Sequence, residues 1–226
     1  MDEIETNRKF LLKQQTQLRQ IMMKSDRHEE AIKLFMEQHA MLHSARVAET
    51  GLWSYEDAVL DDMPGEQFRR VPPKSEHSVA WLVWHMARCE DITMNLLVAG
   101  TPQVQSQDDW SARLGITARD TGNAMNANQI AAFSAAIDVD AVRGYRVAVG
   151  RRTREVVSQL QPSDLKQKVD PARIEQVRVE GAVVEAAWGI AEYWGNRNIA
   201  GLLLMPATRH NLVHLNEILK LKQRGK

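Results

Sequence analysis

His210 and His214 stand four residues apart in HNLVHLNEI (210–218). On a helix that spacing projects both imidazoles from one face about one turn apart, so the pair can bite one ion, and Glu217 continues the face. A bare HxxxH pair arises by chance on many helix surfaces, so a third ligand from another element is required. His85 offers one. Positions 78, 81, 82, 85, 89, 92 and 96 share a helical face and read Ser, Trp, Leu, His, Cys, Ile, Leu. An imidazole in the middle of that stripe needs a partner, either an ion or a hydrogen-bonding group of the core. Neutral imidazoles suit zinc, nickel, iron or cobalt, and three protein ligands leave at least one position open for water or substrate. Such an ion lowers the pKa of bound water and deprotonates a bound thiol, so hydrolysis and thiol transfer are both chemically available.

Other candidates carry a structural reading beside the functional one. Cys89, one turn beyond His85, could reach the ion, but a lone Cys on an apolar stripe reads first as a small core hydrophobe. His39 and His43 form a second i,i+4 pair and read as partly exposed histidines. Glu90, Asp91, Glu192 and Glu217 could orient ligand imidazoles or act as a base; a solvated helix face is the plainer role for each. Trp81, Trp84, Trp188 and Trp194 read as core and pocket wall, and Arg146, Arg151, Arg152 and Arg154 as a solvated face. Arg88 and Arg209 flank the ligands and are the substrate- or anion-binding candidates.

The elements that must position these residues are helical. Long stretches free of Pro and Gly, rich in Ala, Leu, Met, Glu, Gln and Arg, outnumber the alternating β-branched runs of a sheet. Residues 1–27 carry only sparse apolar positions (Leu11, Leu12, Leu18, Ile21, Met22, Met23) and read as an exposed helical arm able to form a homodimer contact, with residues 28–226 as the bundle domain. A first bundle helix is predicted over 27–50, stopped by Gly51. A short capped helix begins at Ser54, and a second long helix runs from the Ser78 N-cap to about 99, before Gly100-Thr101-Pro102. Residues 103–127 read as an irregular excursion able to roof a site. A third long helix spans 140–161 and a short packing helix lies within 181–194. The last helix covers 209–222, capped by Thr208, with 199–205 as a kinked extension across Pro206.

Composition narrows the function. Lys+Arg and Asp+Glu are 29 each, so the formal net charge is +0, and neither this balance nor any basic aromatic stripe favours nucleic acid or an anionic membrane. No stretch reaches the roughly 18 apolar residues of a membrane span, and the first twenty residues lack a signal-peptide core, which predicts a cytoplasmic protein. A single cysteine leaves no Cys-rich zinc motif, so a metal site must draw on His and carboxylates.

Together the two motifs resemble the DinB/YfiT-like superfamily of metal-binding four-helix-bundle proteins. HSVAWLVWHMARCED (77–91) is similar to that family's Ser-started apolar turn ending in a ligand His, which carries His85. HNLVHLNEI is similar to its HxxxH, which carries His210 and His214. Asn216-Glu217 replaces the commoner Gly-Gln, and WSARLGI (110–116) with Asp120 and Gly122 resembles one branch. The resemblance spans about residues 28–222. It implies an up-down-down-up bundle with extra short helices, and a divalent transition metal, zinc or nickel before iron or cobalt. It also implies an enzyme that transfers small thiols, isomerises with a thiol's help or hydrolyses a small molecule. The alternative is a non-catalytic, stress-linked metal- or ligand-binding protein; an open pocket lined by Arg would favour the enzyme.

Overall fold

The computed structural model describes residues 3–224; residues 1–2 and 225–226, the outer ends of the two expected segments, lie outside them. The chain is all-α. The helices are α1 (Glu3–Ile21), α2 (His28–Leu42), α3 (Tyr55–Leu60), α4 (Gly65–Arg69), α5 (Val79–Asp91), α6 (Trp110–Arg113), α7 (Ala127–Ala136), α8 (Val139–Gln159), α9 (Pro171–Val179), α10 (Gly189–Gly195), α11 (Ile199–Leu204) and α12 (His210–Arg224). No strand occurs among the described residues, only an isolated bridge between Lys168 and Asn198. No helix among them is long and apolar enough to cross a membrane.

Four long elements make the bundle: α2, α5, α8 and the α11–α12 pair. Helix α5 is its axis. Every residue from Val79 to Asp91 is buried, so the stripe read from the sequence does not divide a core face from a wet one. The Ser78 hydroxyl accepts from the Trp81 amide at its start, and the helix widens into a π turn over Ile92–Ala99 that ends at Gly100 with φ +67°. The kink expected before the last helix is a second π turn, Met205–Arg209, containing Pro206. Thr208 is not its cap: the hydroxyl donates to the Leu203 carbonyl, 3.1 Å away.

Helix α2 ends at Leu42, well short of Gly51. The His43 ring explains the stop. Its Nδ1 sits 2.9 Å from the His39 carbonyl, in the place where the next amide would have approached, while the Ser54 hydroxyl donates to the His43 carbonyl at 2.8 Å. Four helices escaped the sequence reading, the short α4 and α6 and the longer α7 and α9. Helix α7 starts in a capping box between Asn126 and Gln129, and α9 starts at Pro171 behind the Asp170 cap.

The N-terminal segment is helical, as expected, but it does not project from the bundle. Leu11, Leu18, Ile21 and Met22 are at most 1% exposed and join the core along α2; Phe10, Leu12 and Met23 remain on the outer side. Apolar positions at 11, 18 and 21–22, with Gln14 buried between them, are enough to bury one face because the facing helix supplies the rest of the contact.

Candidate metal centre

Three imidazoles from two helices meet at one point. His210 Nε2 lies 3.2 Å from His85 Nε2 and 3.1 Å from His214 Nε2, and the rings stand edge to face, at 61° to 88° to one another. His85 Nδ1 donates to the Thr121 carbonyl at 2.7 Å, and His214 Nδ1 donates to Glu217 Oε2 at 3.0 Å. Each of those bonds places the ring proton on Nδ1 and leaves Nε2 a lone pair aimed inward. A cluster with two inward lone pairs cannot be satisfied by the single proton that His210 Nε2 could offer. A cation satisfies all three, and ligands about 2.0–2.1 Å from a tetrahedral ion lie roughly 3.3 Å apart, close to the spacing found.

The electrostatics suit a cation. Burial, reinforced by His214, pushes the His85 pKa down to about 3, and burial with His85 and His214 beside it holds His210 well below the usual range. The His85 and His210 imidazoles are therefore neutral and ready to ligate near neutral pH. Burial alone would raise Glu217, but the hydrogen bonds from His214 and His77 overcome it and hold the carboxyl at about 2. It stands ionised behind His214, where it raises the basicity of the ligand ring.

Orientation comes from a stack along the start of α5. His77, Trp81 and His85 are successive i,i+4 neighbours; Trp81 lies 3.9 Å from the His77 ring and 4.5 Å from the His85 ring, nearly parallel to both. His77 then reaches Glu217 at 3.4 Å, linking α5 to α12. Its role escaped the sequence reading, although the 77–81–85 spacing held the signal. The 103–127 excursion roofs the site as expected, through the Thr121 carbonyl and through Gly122, which presses against Trp84 and Trp81.

His39 and His43 are not partly exposed. Both are fully buried and donate from Nε2 to the two oxygens of Glu90, each at 2.9 Å, and the Asn211 amide donates to the same carboxylate at 2.9 Å. These residues also fall close enough together to be considered as ligands. Their rings, however, stack at 3.8 Å and 17°, so their Nε2 atoms point along parallel lines and each meets its own oxygen. That is a carboxylate clamp. Burial would raise Glu90, but His43 and His39 hold it well below the carboxylate range. The clamp anchors Asn211, the neighbour of His210, to α5.

Several other candidates are structural. Arg88 is fully buried: one terminal nitrogen donates to Asp91 and Tyr145, the other to Gln103 and the Arg119 carbonyl, so it faces no ligand. Asp91 also accepts from the Val104 and Gln105 amides, tying the excursion to α5. Arg209 is exposed and does not line the cavity beside the histidines. Arg146 is buried against Glu56 instead of solvated, and Glu192 is exposed. Cys89 is different: its sulfur is 3.8 Å from both His85 ring nitrogens and close enough to His85 and His210 to be considered as a ligand beside them, while burial pushes its thiol up to about 12.

Beside His85 and His210 opens a cavity of about 170 Å³ reached from solvent. The histidine cluster thus has a protected inner side and an accessible outer one. The family model of the DinB superfamily matches residues 50–192. The match includes His85 and the roof and stops before the helix that carries His210 and His214. No curated protein matches the chain.

Proposed function

Because the chain belongs to the DinB superfamily, we propose that it is a metal-dependent enzyme acting on a small molecule, with His85, His210 and His214 as ligands to one divalent transition ion, zinc or nickel first. The observation that carries this reading is the convergence of three Nε2 atoms at the edge of an open cavity. A bound ion supplies Lewis acidity there and makes water or a thiol acidic enough to attack near neutral pH.

The surrounding residues shape which reaction follows. Burial pushes the Cys89 thiol up to about 12, which favours a low-molecular-weight thiol from outside over Cys89 as the attacking group. Glu217 is engaged by His214 and His77 and serves as a positioning residue for the ligand ring. Transfer of a small thiol to an electrophile, thiol-assisted isomerisation and hydrolysis are the reactions these conditions allow. The protein works without nucleic acid, in the cytoplasm, and the outer side of the N-terminal segment, with Phe10 and Leu12 of α1 and Met23 just beyond it, serves a homodimer.

Elemental analysis of untagged protein, followed by thiol-transfer and hydrolysis assays with and without the ion, tests the reading. One equivalent of metal with metal-dependent turnover is the expected result. Metal with ligand binding and no turnover would favour the non-catalytic binding protein, a reading that gains weight because no Arg lines the cavity.

A further inference from the structure

The cavity beside the histidines has a chemical character of its own. Ile190, Tyr193 and Trp194 of α10 form one wall, and Met205 and Pro206 of the π turn form another. Besides the ligand rings, the polar groups carried by its lining residues are the uncharged Asn123 amide, Cys89 thiol, Tyr193 hydroxyl and Trp194 indole N–H; no Lys, Arg, Asp or Glu lines it. The two arginines nearest in sequence to the ligands are directed elsewhere, Arg88 into the core and Arg209 to solvent. A charged group placed here would lose water and gain no counter-charge, whereas an apolar one gains by burial. The size is also informative. A volume of about 170 Å³ is near the roughly 150 Å³ of an engineered apolar cavity that accepts benzene.

We propose that this cavity receives an uncharged, benzene-sized apolar group of the substrate, attached next to the atom that reaches the metal. The proposal rests on the metal-centre reading above and adds to it a substrate class: neutral aromatic or comparably bulky compounds in place of small anionic ones. The walls come from three separated parts of the chain, α10, the π turn and the roof, so the fit is a property of the assembled fold.

Three hydroxamates that share a metal-binding head separate the alternatives: acetohydroxamate, benzohydroxamate and para-carboxybenzohydroxamate. Full-length protein is loaded with cobalt alone, and each probe is titrated against the visible cobalt absorption. Benzohydroxamate should bind roughly ten- to a hundredfold more tightly than acetohydroxamate, the gain expected for burying a phenyl-sized group, and the carboxylated ring should lose most of that gain. Ile190→Asp and Tyr193→Ser should each shrink the preference for the phenyl group. If cobalt gives no histidine-bound spectrum, the metal centre fails and this proposal goes with it. A normal spectrum with equal affinity for the first two probes, or with tightest binding of the carboxylated one, overturns the pocket assignment and leaves the metal centre standing.

Discussion

At the scale of single residues the protein contains two histidine clusters with opposite chemistry, and ring orientation separates them. Around His85, His210 and His214 the rings stand edge to face and their lone pairs converge; in the Glu90 clamp the His39 and His43 rings lie parallel and spend their protons on one carboxylate. Substitution should tell them apart. His85→Ala and His210→Ala proteins should each lose the ion, read by elemental analysis after gel filtration, because two remaining imidazoles hold it far less firmly than three. His43→Ala should behave differently. It leaves a buried carboxylate short of a donor and should lower unfolding free energy by about 3 kcal/mol, read by urea titration, while the metal stays at full stoichiometry. Metal retained in both ligand variants would remove the three-histidine reading.

At the scale of elements, the site depends on how the roof meets α5. Gly122 holds φ +77°, and a Cβ there would come within 2.6 Å of Trp84 and 2.9 Å of Trp81. Its neighbour Thr121 supplies the carbonyl that sets the His85 tautomer. Gly122→Ala should therefore cost about 2 kcal/mol in stability, from the left-handed backbone and the clash together, and should also weaken metal affinity. Competition against a chromophoric chelator reads the second effect. Loss of stability with unchanged affinity would show that the roof does not position the ligand. Helix α1 gives a further test. Leu11, Leu18 and Ile21 are buried, and at roughly 1.5–3 kcal/mol for each apolar side chain taken from water, deleting residues 1–21 should unfold the protein or lower its melting midpoint sharply. A truncated protein that melts like the full chain would return α1 to the role of an independent arm.

At the scale of the whole molecule, pH couples the histidines to folding. His39 and His85 each titrate near 3 when folded, pushed down chiefly by burial, and near 6.5 when unfolded. Between those values the unfolded chain binds protons that the folded chain refuses, so stability is greatest above about 6.5 and falls as pH drops toward 3. Glu217, held near 2 in the fold, adds to the loss below the ordinary carboxylate range. Urea midpoints of the metal-free protein should accordingly decline from pH 7.5 to pH 5. A bound ion adds stability by mass action, so the metal-loaded protein should have the higher urea midpoint at pH 7.5, and the difference should shrink as acid protonates the ligands. Equal midpoints with and without the ion at pH 7.5 would contradict that coupling.

Much of the architecture was legible in the residues. The Ser54 and Ser78 caps, the Gly100 stop, the break at Pro206 and the i,i+4 histidines are local signals, set by hydrogen bonds and side-chain spacing within a few residues, and each stands where its pattern placed it. The same signals for α7 and α9, an Asn126 capping box and an Asp170-Pro171 start, were present and simply overlooked. The folded chain alone decided which polar groups meet across long separations. His39 and His43 are buried because Glu90, on another helix, accepts from both; Arg88 serves the core because Asp91, Tyr145 and the excursion surround it; α1 is part of the bundle because α2 completes its thin apolar face. Side-chain type and spacing specify what a residue can do, whereas burial and partner depend on the register in which whole helices pack, and no local pattern encodes that register.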